Sequence, residues 1–362
     1  MTRGRKLAFA LATLAILVGV FEVVARVAGV CACKPPEPSV GTWDEMQADT
    51  RYLWRLTPGH EMQGPGGTVT RINELGLRET FLPRPKAPNE RRIVTTGDSS
   101  VYGWGIPQGQ TYQERLEQAL KQRWPQYHFE VINLGVPGYS TVQSLRLLED
   151  VGWRYEPDVL VISNVFSDCN IDAFQDERAL SLVSPEESPL RASRTYCAIW
   201  NGYASWYATY NQERNRVLMP GIPRYMELKE KVDQVVDLSR VPIDDYVANL
   251  EAMRAAAAAR GARVVVAPLA QEWDVGRWTV PGMPKPSPGQ VFPWTPYREA
   301  MKAFAERHQL GFVSMPEAFA AVQGPKERLF SDPVHPGPDG AAVMARALAD
   351  FFARRPDVLD VR

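Results

Sequence analysis

The strongest pattern along the chain is an apolar run near its start. MTRGRK precedes LAFALATLAILVGV, which is uncharged from Leu7 to Val20, and FEVVARVAGV continues the run more weakly. As one helix, Leu7–Val30 is long enough to span the hydrocarbon of a bilayer, with Glu22 and Arg26 near its far end. Arg3, Arg5 and Lys6 flank the front, so the positive-inside bias keeps the N-terminus in the cytoplasm and exports the chain beyond the helix. A cleaved signal peptide has the same basic start and apolar core. No clear small-x-small site comes after the core here, which favours an uncleaved anchor over residues 1–30. A lipoprotein site at Cys31 meets Val30 where a small residue is expected.

Residues 31–90 change character. KPPEP and LPRPKAP bracket a Pro- and Gly-rich stretch that reads as a linker enclosing a small irregular or β-rich segment. Beyond Arg91, short β-branched runs alternate with helical periodicity. Strands are predicted at Arg92–Thr96, Phe129–Leu134, Asp158–Phe166, Ala262–Pro268 and Gly311–Ser314. Tyr112, Leu116 and Leu120 share one helical face, and further helices are expected at Gln143–Tyr155, Tyr246–Arg260, Tyr297–His308 and Gly340–Arg354. The alternation predicts an α/β domain over residues 91–355 with an open, doubly wound, five-stranded parallel sheet. In such a sheet ligands bind beyond the carboxyl ends of the strands.

Two stretches interrupt the alternation. Residues 170–240 contain TYCAIWNGYASWYATYNQERN, dense in aromatics, and residues 270–296 contain PGMPKPSPGQVFPW, too rich in proline for a helix. Both lie after strand ends on the expected active face. The aromatic insertion reads as local packing, with a lid or an acyl-group platform as the alternative.

Composition then narrows the function classes. The 362 residues are 45% apolar, enough for a large core, and carry 41 Lys plus Arg against 42 Asp plus Glu. With a net charge of −1 there is no basic field to attract nucleic acid, which is set aside as a partner. Of four cysteines, Cys31 and Cys33 read as a juxtamembrane pair without neighbouring metal ligands, and no metal is expected. In an oxidising compartment Cys169 and Cys197 could bridge the insertion.

Polar groups gather at the predicted strand ends. Thr96-Gly97-Asp98-Ser99 closes the first strand, and its glycine permits a tight turn from which backbone N–H groups can face an oxyanion. The second strand ends in INLGVPGYS, the third in VISNVFSDCN, and a late turn reads FSDPVHPGPDG. In that turn Asp332 and His335 are three residues apart between prolines. The carboxylate can accept from imidazole Nδ1–H while Nε2 turns to a serine, the division of labour in a hydrolytic triad with Ser99 as nucleophile. His60, His128 and His308 lack such a setting and read as surface or packing residues.

The segments RIVTTGDSSVYGWGI, VINLGVPGYST, PDVLVISNVFSDCNID and SDPVHPGPDGAAVMA resemble, in order and spacing, the sequence blocks of the SGNH or GDSL hydrolase superfamily. RINELGLR upstream is similar to a lead-in of its membrane-anchored members. The resemblance implies a flavodoxin-like α/β/α sandwich and hydrolysis or transfer of ester-linked acyl groups, without metal or organic cofactor. It matches Ser99 to the nucleophile, whose N–H joins the oxyanion hole, Gly135 to the oxyanion glycine, and Asp332 with His335 to the DxxH pair. The third block departs. Where the family reads G-x-N-D this chain has Val165-Phe166-Ser167-Asp168, leaving Ser167, Asn170 or Asn164 as substitutes for the missing asparagine. Ser100 stands where the GDSL form has leucine.

The expectation is an exported, membrane-tethered serine esterase forming an acyl-enzyme, acting on a small-molecule or saccharide ester, with a sugar O-acetyl group of the cell envelope as the substrate class. An O-acyltransferase using the same acyl-enzyme, and a catalytically inactive carbohydrate-binding scaffold, are the alternatives.

Overall fold

The computed structural model describes residues 2–32, 46–49, 51–63, 67, 69–170, 175–183, 189–203, 205–206, 239–279 and 292–361. Most of the aromatic insertion and part of the Pro-rich loop lie outside the described residues.

The chain opens with helix α1, Arg3–Val27, of which Gly4–Val27 is long and apolar enough to cross a membrane. Its large apolar side chains are exposed, Leu7, Phe9 and Ile16 among them, while Ala25 near its end is buried. Two small antiparallel pairs come next: β1 (Met46–Asp49) with β2 (Leu53–Leu56), and β3 (Glu61–Gln63) with β4 (Val69–Arg71). These pairs and the residues after them pack on the rest of the domain. Leu53, Trp54, Leu56, Ile72 and Leu77 are buried in the main core. Trp54 Nε1–H donates to Pro137 O at 3.1 Å, and the buried Arg78 guanidinium donates to the carbonyls of Gly103 and Ile106, each at 2.6 Å.

The main sheet holds β5 (Glu90–Thr96), β6 (His128–Asn133), β7 (Val159–Ile162), β8 (Arg263–Val266) and β9 (Gly311–Phe312), all parallel, in the order β6-β5-β7-β8-β9. All five predicted strands form. The third, fourth and fifth are shorter than the apolar runs suggested, because backbone pairing stops while apolar burial continues: Val165 and Phe166 are buried after β7 has ended, and Ala267 after β8. Every side chain of β7 is fully buried, which explains its unbroken apolar sequence.

Helices connect the strands: α2 (Ser99–Tyr102), α3 (Tyr112–Arg123), α4 (Thr141–Asp150), α5 (Phe166–Cys169), α6 (Asp176–Val183), α7 (194–203), α8 (Ile243–Ala258), α9 (Thr295–His308), α10 (Met315–Ala320) and α11 (Pro338–Arg354). Capping boxes start two of them, Thr111 with Glu114 on α3 and Ser140 with Gln143 on α4. The helix expected through Tyr155 ends at Asp150, and a 3₁₀ turn, Gly152–Tyr155, completes it. Helix α3 packs with α11, and α8 packs with both α4 and α9. With right-handed crossovers these two groups cover opposite faces, giving an α/β/α sandwich of flavodoxin-like order. The reversal of strand order between β5 and β7 opens a crevice beyond their carboxyl ends.

The Cys169–Cys197 bridge does not form. Cys197 is disulfide-bonded, but Cys169 carries a free thiol, buried on α5 and directed at Phe166 O, 3.3 Å away.

Candidate active site

Strand β5 delivers Ser99 through a turn that requires glycine. A Cβ on Gly97 would sit 2.3 Å from Val101 Cγ2, so the chain turns this tightly only without a side chain. Asp98 then caps α2, its carboxylate accepting from Ser100 N–H at 3.0 Å, and Ser99 becomes the first helical residue. Asp98 is buried, which pushes its carboxyl up, while the Ser100 N–H, the His335 charge and the Ser167 N–H and hydroxyl pull it down, the upward push prevailing.

The late turn brings the second group. Ser331 N–H donates to His335 O at 2.9 Å, and Gly337 N–H to Leu329 O at 2.9 Å, closing a narrow loop before α11. Within it one Asp332 oxygen accepts from the N–H groups of Val334 and His335, at 3.0 and 2.9 Å, and the other lies 2.6 Å from His335 Nδ1. Burial acts to raise the Asp332 carboxyl. The hydrogen bond and charge of His335, with the two backbone donors, more than reverse this and hold it below the usual carboxylate range. With Nδ1–H committed to the carboxylate, His335 Nε2 is the acceptor facing Ser99 Oγ, 2.8 Å away. Two bonds fix the loop against the sheet: Ser100 Oγ to Val334 O at 3.3 Å and Glu272 N–H to Pro333 O at 3.1 Å. The Trp104 ring flanks the imidazole at 6.3 Å.

The oxyanion side differs from the sequence expectation. Gly135 N–H donates to Asn133 Oδ1 at 2.9 Å and is therefore occupied. The glycine serves close packing instead, since a Cβ there would lie 2.3 Å from Tyr102 N on α2. Three residues on, Gly138 has a left-handed backbone, φ 79°, and its N–H donates to no acceptor among the described residues. Its carbonyl accepts from Arg240 Nη1 at 2.6 Å.

The third-block residues are also otherwise engaged. Ser167 Oγ lies 3.5 Å from Asp98 Oδ2, so this hydroxyl serves the residue before the nucleophile. Asn164 is buried and donates to Ser144 Oγ at 2.9 Å. Asn170 is exposed; its N–H donates to Phe166 O and its carbonyl accepts from Arg240 N–H. Asp168 accepts from both N–H and hydroxyl of Thr141, at 2.8 and 2.6 Å, which fixes the start of α4, and burial pushes its carboxyl up to about 7.

Sequence reasoning missed Arg240 and Asp176, which lie near the two ends of the aromatic insertion. Arg240 is buried and donates through Nε and Nη2 to the two oxygens of buried Asp176, at 2.9 and 2.6 Å. Its Nη2 also reaches Gln143 Oε1 at 2.9 Å, and its guanidinium lies over the Trp54 ring at 5.3 Å. No local motif signals a pair 64 residues apart. Beyond β8, a wall of Trp273, Phe292 and Trp294 extends to Phe166 on α5, with the Phe292 and Trp294 rings stacked at 4.4 Å.

A serine at a strand-to-helix turn, within hydrogen-bond reach of an imidazole held by a carboxylate, is the equipment of a serine ester hydrolase, and this chain is one. It belongs to the GDSL-like Lipase/Acylhydrolase family, whose model matches residues 95–343. No curated protein matches the chain. Among solved structures it is similar to the acetylxylan esterase Axe2 of Geobacillus stearothermophilus, at 17% identity and a TM-score of 0.44 over 72% of this chain and 93% of that one. A lipase/acylhydrolase from Enterococcus faecalis is similar at 15% identity and a TM-score of 0.41, over 73% and 96%.

Proposed function

We propose that this chain is an exported esterase that removes ester-linked acyl groups, O-acetyl groups above all, from a saccharide of the cell envelope through an acyl-enzyme on Ser99. The observation that carries the mechanism is the continuous relay from Ser99 Oγ through His335 to Asp332, at 2.8 and 2.6 Å. Ser99 Oγ attacks the acyl carbonyl carbon as its proton passes to His335 Nε2. The oxyanion formed is met by Ser99 N–H and Gly138 N–H, which preorganised backbone makes available without reorganisation. The tetrahedral adduct collapses, the C–O bond to the alcohol breaks, and His335 returns its proton to the departing oxygen. Water then repeats the sequence and frees the acid. Asp332 stays ionised throughout and holds the imidazolium.

The choice of an acetyl ester draws on the resemblance of RINELGLR and the sequence blocks to membrane-anchored members of the superfamily. The apolar α1 behind a basic start supports export.

The test is hydrolysis of p-nitrophenyl acetate together with labelling by a fluorophosphonate, wild type against Ser99→Ala. Labelling at Ser99 and a fall in kcat of about a thousandfold or more are expected. Unchanged hydrolysis in the variant, with no adduct at Ser99, removes the reading. Acetylated xylo-oligosaccharide and acetylated peptidoglycan fragments then rank the substrate class, and acylated product from an added sugar acceptor marks transfer.

A further inference from the structure

Helix α1 is not simply attached to the rest of the chain; the folded domain uses one of its side chains. One Glu22 oxygen accepts from Arg194 N–H at 3.0 Å, and the other accepts from Ser193 Oγ, Thr195 N–H and Thr195 Oγ1, at 2.9, 2.9 and 3.0 Å. Arg194 and Thr195 are the first residues of α7, so their N–H groups are among those a helix leaves unsatisfied at its start. Glu22 caps α7 from 172 residues away. Arg26, one turn further along α1, donates to Glu22 at 2.7 Å and also reaches the carbonyl of Ala192. Asn201 adds a bond to Ala32 O at 2.8 Å.

A carboxylate near the end of a membrane-spanning helix is costly unless its oxygens are satisfied. Here the insertion supplies the donors. Cleavage after the apolar core would remove Glu22 from the mature protein and leave the N-terminus of α7 without its acceptor.

The insertion is itself built for a second apolar phase. Cys197 is buried and Trp200 packs against the core, while Ile199, Tyr203 and Trp206, at i, i+4 and i+7, form a stripe on another face. Ile199 is 71% and Trp206 61% exposed, and Leu190 just before the helix is 59% exposed. Helix α7 starts beside the outer end of α1, whose exposed surface from Leu7 to Phe21 is apolar but for Thr13. Tryptophan and tyrosine at that level match the aromatic belt of a membrane interface.

We propose that α1 is a retained anchor and that Leu190, Ile199, Tyr203 and Trp206 form a second membrane contact, with α7 lying in the interface of the outer leaflet and Glu22 as its latch. This rests on the reading of α1 as a membrane helix and not on the esterase chemistry.

The test uses the full chain in phosphatidylcholine–phosphatidylglycerol nanodiscs, with and without dibrominated acyl chains. The intact mass is expected to be that of the uncut 362 residues. The tryptophan emission lost in Trp206→Phe is expected to be quenched by brominated lipid and shielded from aqueous iodide. Amide exchange at Arg194 and Thr195 is expected to be about tenfold faster or more in Glu22→Ala, and to be partly restored in Glu22→Gln. A mass lacking the first 25 or so residues, as signal-peptide cleavage would leave, overturns the anchor. Iodide quenching of Trp206 with no effect of bromine overturns the membrane contact, and unchanged exchange in Glu22→Ala overturns the latch. Fluorophosphonate labelling of Ser99 in the same samples reports the esterase reading separately.

Discussion

Arg240 Nη1 donates to the carbonyl of Gly138 at 2.6 Å, so a guanidinium from one end of the aromatic insertion fixes the peptide turn after β6. The cation is held in turn by Asp176, from the other end of the insertion, and Ser140 Oγ donates to the same carboxylate at 2.6 Å. The pair thus joins both ends of the insertion to the glycine turn. Because Arg240, Asp176 and Ser140 are all buried, the geometry is stiff, and a donor on this turn stays aimed without help from solvent.

Replacing Arg240 by methionine is therefore expected to lower kcat on p-nitrophenyl acetate by about ten- to a hundredfold, with KM nearly unchanged. It also strands the Asp176 carboxylate, a loss of about 3–5 kcal/mol for a buried pair broken on one side. The double variant Arg240→Met, Asp176→Leu removes the stranded charge and is expected to regain most of the thermal stability without regaining kcat. Recovery of both would make the pair purely structural.

The two glycines of the turn should separate. Gly135→Ala forces a Cβ to within 2.3 Å of backbone on α2, so the variant is expected to lose stability by about 1–3 kcal/mol and to displace Ser99. Gly138→Ala needs φ 79°, a cost of about 1 kcal/mol, while its larger effect falls on kcat. Melting temperatures and kcat measured side by side check this; a kcat effect confined to Gly135→Ala would return the oxyanion role to that residue.

Ser167 gives a third contrast. Its hydroxyl points to Asp98, so Ser167→Ala is expected to cost about 1 kcal/mol of stability and to change kcat only a few-fold. A fall of about a hundredfold or more would identify the hydroxyl as an oxyanion donor after all.

These contrasts mark where sequence stops being sufficient. The five strands were legible because each is a short β-branched run between helical periods, and Ser99, Asp332 and His335 because tight turns need glycine and proline at fixed places. Strand ends were less legible, since an apolar residue such as Val165 is buried whether or not its backbone pairs. The glycine turn is hard to read for a related reason. A glycine that admits a neighbouring backbone, like Gly135, and one that holds a left-handed φ, like Gly138, are the same letter. Arg240 with Asp176 and Glu22 with α7 were invisible because only the folded chain brings their partners together.

Asp168 makes stability depend on pH in a way that one substitution isolates. Its carboxyl is fully buried beside Thr141, and burial raises it to about 7 in the folded chain against about 3.9 when unfolded. Below pH 4 both states hold the proton and there is no pH dependence from this group. Between about pH 4 and 7 the unfolded chain gives up its proton while the folded chain keeps it, so the folded state is progressively disfavoured, by up to about 1.4 kcal/mol per pH unit. Above 7 both are ionised and the loss levels off. Asp168→Asn keeps an oxygen to accept from Thr141 and cannot ionise, so its melting temperature is expected to exceed that of the wild type increasingly from pH 4 to 7 and then by a constant margin. Parallel melting curves for the two proteins across that range would mean that the Asp168 carboxyl ionises in the folded chain as easily as in the unfolded one.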